Sequence, residues 1–135
     1  MRYLLDVNAL VAMGFFEHEF HRRVAAWVND LALNSANEFL TCSITEIGFM
    51  RILSQTPQYN STVSDARSLL IGLKASETAK FKLIADSQDI SQLPLWVKSP
   101  KQITDGHLVR LAKAHGGVLT TLDSRIPGTF LIPLK

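Results

Sequence analysis

The chain has one cysteine, Cys42, in 135 residues. An internal disulfide and a cysteine-based zinc site are therefore excluded. In its apolar surroundings, FLTCSI, the thiol is expected to be buried in a cytoplasmic protein. No apolar run approaches the roughly 18 residues of a membrane span, so no membrane partner is expected. The opening MRYLLDVNALVAMGFF has an early Arg and an apolar stretch. Asp6 and Asn8 interrupt that stretch and no small-residue cleavage site follows, so it reads as part of the fold and not as a signal peptide. There is no glycine-rich phosphate loop of either the GxGxxG or the GxxxxGK type. No Ser-His-Asp or Cys-His set is evident. A strong excess of one charge is missing too: 14 basic and 12 acidic residues give +2. Bulk charge alone thus says little about a polyanionic partner.

What remains is an ordinary globular composition, 47% apolar and 19% charged, long enough for a real core in one domain spanning 1–135. Short apolar runs at 2–5, 38–42, 80–85, 118–122 and 129–132 predict strands. Helices are predicted at 8–14, 17–33, 44–54, 62–75 and 100–115, with Ser43 as the cap of the third. The long helix at 17–33 has Phe20, Val24, Trp27, Val28 and Leu31 on one stripe. Ser99-Pro100-Lys101-Gln102 reads as a helix start, with a cap, a first-turn proline and a closing Gln. Gly116-Gly117 reads as its stop. The segment 86–99 reads as a loop with a short helix. Alternating strands and helices imply an α/β fold whose mainly parallel sheet of four to five strands is covered on both faces.

Four acids sit where such a fold gathers functional groups. Asp6 ends the first strand and Asp123 ends GVLTTL. Glu46 lies in the first turns of SITEIGFMRIL, and Asp105 in those of ITDGHLVRLA. In an open α/β sheet these points converge at one rim. Carboxylates gathered there raise one another's pKa unless a cation neutralises them, and a hard divalent ion suits oxygen ligands. Each acid also has an ordinary alternative. Asp6 could merely cap the next helix, and Asp123 could open the Asp-Ser-Arg-Ile-Pro turn. Asp105 could be a solvated helix residue, though Leu108 and Ala112 share its face. Glu46 could close a Ser43-x-x-Glu46 capping box; against that, Phe49, Met50 and Leu53 lie on its face. Asp86 is a rival acid without a motif.

The ordered set of Asp-Val-Asn at 6–8, Thr-Glu at 45–46, Thr-Asp-Gly-His at 104–107 and Thr-Leu-Asp at 121–123 resembles the PIN domain, and most closely the short VapC-type toxins. The resemblance runs over nearly the whole chain. It implies a PIN-like three-layer α/β/α fold and an endoribonuclease that needs Mg²⁺ or Mn²⁺, held inactive by an antitoxin. In that framework Asp6, Glu46, Asp105 and Asp123 are the catalytic, metal-binding acids. Asn8 supports the ligands, and Thr121 projects to the same side as Asp123. Four acids occupied by metal leave 8 acidic residues against 14 basic ones, a surface suited to a phosphate backbone. Arg51 and Arg125 are possible substrate contacts, Arg125 the better placed. His107 is expected to be a structural partner of a carboxylate, and Gly106 to allow close approach of backbone or ligand. His18 and His21, three apart, read as solvated helix residues, so zinc is not expected. A DNA nuclease, a phosphatase or a non-catalytic binding module would use the same scaffold. The helices at 44–54 and 62–75, joined by the TPQYN turn, are expected to form an apolar groove with the helix at 17–33. An amphipathic antitoxin segment would fit that groove. A homodimer is also expected.

Overall fold

The structure, a computed structural model, describes residues 1–134. Among these residues, five strands form one sheet: β1 (Arg2–Leu5), β2 (Glu38–Thr41), β3 (Phe81–Leu83), β4 (Gly117–Thr121) and β5 (Phe130–Leu131). Their order is β3-β2-β1-β4-β5, and every pairing is parallel. Strand order therefore reverses beside β1, between β2 on one side and β4 on the other. Such a switch leaves a crevice at the carboxyl ends of the strands.

The period of two along the strands divides the core. Tyr3, Leu5 and Phe39 face one layer, where they pack with Leu10, Val24, Val28, Phe49, Leu53 and Leu70. That layer contains α1 (Val7–Gly14), α2 (His21–Ala32), α3 (Ser43–Gln55) and α4 (Val63–Lys74). Leu4, Leu40 and Leu119 face the other way, onto Leu108, Leu111 and Ala112 of α5 (Ile103–Ala114). The expected three-layer architecture is present. Trp27, Phe130 and Phe39 surround the Tyr3 ring, with centroids 5.1, 5.7 and 6.1 Å away.

Several elements differ in detail from their sequence patterns. The helix expected at 17–33 begins only at His21, because residues 15–20 turn back through His18 N–H to Phe15 O and His21 N–H to His18 O hydrogen bonds. Phe20 then lies outside the helix and is exposed, while Val24 and Val28 remain buried. The cap of α3 is Cys42, not Ser43, and Thr45 closes its first turn by accepting the Cys42 N–H at 3.0 Å. The start at Ser99 is a short 3₁₀ turn over Pro100–Gln102 that leads into α5. There Gln102 Oε1 accepts the N–H groups of Lys98 and Ser99. Gly116, with φ of 71°, ends the helix as expected.

Gly106 plays a different part from the one its position beside Asp105 suggests. A Cβ there would lie 2.3 Å from Val97 Cγ2 and 3.3 Å from Pro94 Cδ. The missing side chain admits the 93–97 loop against α5, not a ligand. Gly106→Ala should therefore lift that loop. The overpacking cost of about 1–3 kcal/mol outweighs the roughly 1 kcal/mol gained in helix propensity. Hydrogen exchange should show the Leu93 and Val97 amides, both hydrogen-bonded within the loop, opening faster than in the wild type; unchanged protection there would contradict this packing.

Candidate active site

Three of the acids meet at the switch point. Asp6 leaves β1, Asp123 follows β4, and Asp105 is in the first turn of α5. Together with Asn8 and Thr104 they line one cleft of about 380 Å³. The fully buried Thr121 hydroxyl ties its floor together. It donates to Asp6 Oδ2 at 2.8 Å, and it accepts the Asn8 side-chain amide and the Asp123 N–H, each at 3.1 Å. Asn8 Oδ1 accepts the Leu122 N–H at 3.1 Å, which fixes the amide orientation. Asp6 also caps α1 by accepting the Val7 N–H at 2.8 Å. Capping and site geometry are thus one arrangement, not alternatives.

Electrostatics separate the acids into two kinds. Burial is the main cause that raises the Asp6 pKa, and the charge of Asp123 adds to it against the hydrogen bonds from Thr121 and Val7. Burial likewise raises that of Asp105, followed by the charges of Asp6 and Asp123. Asp123 is held below the ordinary carboxylate range by Arg125, whose Nε and Nη2 reach its two oxygens at 2.9 and 3.1 Å. Arg125 thus sits at the rim, paired with an acid while most of its side chain remains exposed.

Glu46 lies apart from that cleft. Its Oε2 accepts the Thr41 hydroxyl at 2.6 Å and pairs with Lys74 Nζ, from the last turn of α4, at 2.5 Å. It lines a second concavity, between α3 and α4, with Ile47, Met50, Arg67, Leu70 and Ile71. The capping-box alternative for Glu46 does not hold, because Thr45 occupies that role. The expected apolar groove is this concavity, but α2 does not line it. Helix α2 packs its buried face into the core beside α1.

The remaining residues fall outside the cleft or beside it. Arg51 is exposed on α3 and not among the lining residues. His107 pairs with Asp86 at 2.5 Å, which makes it the structural partner expected of it. Burial works to raise the Asp86 pKa, but the His107 hydrogen bond and charge hold it below the ordinary range. His21 directs Nδ1 to Ala12 O at 2.9 Å. Neither His18 nor His21 is a solvated helix residue: His18 precedes α2 and borders the acid cleft, and both are half-buried. Tyr59, in the TPQYN turn, also lines the cleft. A turn signal alone gave no reason to single it out.

The donor set fits a hard divalent cation in chemistry and in charge: oxygen ligands, a fixed second layer, and two carboxylates whose ionisation the site disfavours. Among the described residues no three His, Cys, Asp or Glu side chains converge within reach of one ion as they stand. Asp123 is turned toward Arg125 and Glu46 toward Lys74.

Comparison with known proteins points one way. The PIN domain profile matches residues 3–129. Ribonuclease VapC44 of Mycobacterium tuberculosis is 37% identical over 132 residues, covering 93% of this chain and 89% of that protein. Ribonuclease VapC38 of the same organism is 35% identical over 127 residues, covering 91% and 86%. Among solved structures, VapBC2 from Rickettsia felis bound to a promoter DNA fragment aligns with a TM-score of 0.60 at 17% identity, covering 97% of both chains. DNA-bound VapBC from Salmonella typhimurium aligns at 0.51 and 17%, covering 97% and 96%.

The raised Asp105 pKa has a sign that stability measurements can read. A carboxyl whose folded pKa lies above its unfolded value contributes stability below the unfolded value and loses it as pH rises through the folded one. Asp105→Asn should therefore melt above the wild type at neutral pH in metal-free buffer. The gain should vanish as pH falls below the ordinary Asp range near 3.8. A variant no more stable than wild type at neutral pH would contradict the electrostatic account.

Proposed function

The chain belongs to the PIN-domain family, and on that premise we propose that it is a metal-dependent endoribonuclease, the toxin of a type II toxin–antitoxin pair. The convergence of Asp6, Asp105 and Asp123 in one cleft at the sheet's switch point carries this reading. Burial disfavours the charge of two of them, reinforced by Asp123 at Asp6 and by Asp6 and Asp123 at Asp105. The ribonuclease names of relatives above 30% identity support the reaction, and the VapBC structures support the pairing with an antitoxin.

The residues act as follows. Asp6, Asp105 and Asp123, with Glu46 drawn in from the first turn of α3, would hold Mg²⁺ or Mn²⁺. Bound there, the ion would supply a water of lowered pKa and neutralise charge on the phosphodiester. Thr121 holds the Asp6 carboxylate in place, and Asn8 holds Thr121. Arg125 exchanges Asp123 for a substrate phosphate at the rim. The substrate enters single-stranded, with its backbone exposed to the cleft at the carboxyl end of the central strand. The protein works in the cytoplasm as one domain over 1–135 and forms a homodimer. The antitoxin binds the α3–α4 concavity, whose exposed Ile47 and Ile71 offer apolar contact beside Glu46 and Lys74.

Asp6→Asn, Asp105→Asn, Asp123→Asn and Glu46→Gln should each lower cleavage of total cellular RNA by at least about a hundredfold, as expected for loss of a metal-supporting or charge-positioning group. Their folds should remain intact by circular dichroism. Wild-type cleavage should stop in EDTA and return with Mg²⁺ or Mn²⁺. Undiminished cleavage by Asp6→Asn and Asp105→Asn would end this assignment. Recovery with Zn²⁺ alone would do so for the choice of ion, and preferential cutting of DNA for the substrate.

A further inference from the structure

The acid cleft has an aromatic side that the carboxylate chemistry does not explain and that the core, against which Tyr59 packs with one edge, leaves partly open. The His18 and Tyr59 rings lie nearly parallel, with 8° between their planes and 6.4 Å between centroids. Both border the cleft that contains Asp6, Asp105 and Asp123. Both also border an adjoining hollow of about 550 Å³ that includes Phe15 and Gln58. The two rings thus stand where the concavities meet, each half-buried and half in solvent.

Each ring is fixed by its own local structure. Tyr59 ends a 3₁₀ turn that opens with Pro57 and closes at Asn60 in the left-handed conformation, φ 46°. Its ring packs edge-on against Phe15, centroid to centroid 4.9 Å. His18 Nδ1 accepts the Phe20 N–H at 3.0 Å, which places the hydrogen of the neutral ring on Nε2. Burial lowers the His18 pKa, against the opposing charge of Glu19. A neutral flat ring, not an imidazolium, therefore faces the cleft at neutral pH.

A polyanion approaching three carboxylates needs affinity that does not come from charge. Stacking on a preformed aromatic surface supplies it, and only an unpaired base can present its face. We propose that His18 and Tyr59 form a stacking platform for an unpaired base of the RNA strand, next to the phosphate presented to Asp6, Asp105 and Asp123. The platform selects single-stranded over duplex substrate and sets which nucleotide flanks the cut. This inference rests on the reading of the cleft as an RNA-cleaving site.

The test separates the two. Binding is measured by fluorescence anisotropy with a labelled single-stranded RNA, using Asp105→Asn protein so that nothing is cut. Tyr59→Ala should weaken binding about tenfold, the order expected for one stacked base. Tyr59→Phe, which keeps the ring, should stay within about twofold, and His18→Ala should weaken binding in the same sense without touching the Tyr59 turn. Duplex RNA of the same sequence should show no such dependence. In otherwise wild-type protein, Tyr59→Ala should raise KM more than it lowers kcat and should shift the mapped 5′ ends. Wild-type affinity and an unchanged cleavage map in both Tyr59→Ala and His18→Ala would overturn the platform, as would a Tyr59→Phe defect equal to that of Tyr59→Ala. Absent cleavage by the wild type would instead remove the nuclease reading, and cleavage in EDTA would remove its metal dependence; both leave the binding comparison standing.

Discussion

At the end of the central strand, the Asp6 carboxylate is buried with a hydroxyl and an amide for partners and no cation. Burial disfavours the charged form of that group, and the fold enforces the burial. Asp6 is held by β1 on one side and by the cap of α1 on the other. The Thr121 hydroxyl from β4 closes the remaining direction. Because β1 and β4 pair in register, Leu5 opposite Thr120, the residues after both strands must emerge together. Asp123 consequently comes within electrostatic reach of Asp6 and of Asp105 on α5. The demand for an external cation is a consequence of sheet topology, not of any one side chain.

The chain's own cations complement that demand from outside. Arg125 satisfies Asp123 and Lys74 satisfies Glu46, so the two more exposed acids are already paired while the two inner ones are not. The exposed Arg125–Asp123 pair is of the kind that holds weakly and exchanges partners readily, whereas the Lys74–Glu46 pair is partly buried and also bonded to Thr41. The rim thus keeps both carboxylates in place through the chain's own cations. Lys74 has a second consequence. It sits at the end of α4 in the wall of the α3–α4 concavity, so whatever occupies that concavity touches the ion pair holding Glu46.

Much of this was legible in the residues because local rules and tertiary structure agree. The buried strands, the proline start before α5 and the glycine stop after it follow from apolar runs and backbone chemistry. Asp6, Asp105, Asp123, Asn8 and Thr121 were legible as a set because all lie at strand ends or helix starts, where an α/β sheet has one place to put them. The failures have physical causes. Apolar periodicity through Phe20 extended α2 beyond its true start, where the chain turns through His18 instead. The cap of α3 passed to Cys42 because Thr45 provides the closing hydroxyl, which no spacing rule around Ser43 reveals. The pairing of Glu46 with Lys74 joins positions 28 apart, and the approach of His18 to Tyr59 spans a longer interval still. Neither leaves a pattern within one element.

The central claim is that Asp6 and Asp105 are kept from ionising freely until a divalent cation joins them. Carbon-detected NMR of the side-chain carboxyls, titrated in metal-free buffer and again with Mg²⁺, reads this directly. The account predicts that both groups titrate above ordinary Asp without the ion and fall below it when the ion is present, while Asp86, paired with His107, does not move. Ordinary titration of Asp6 and Asp105 in the metal-free protein, or no response of either to Mg²⁺, would contradict it.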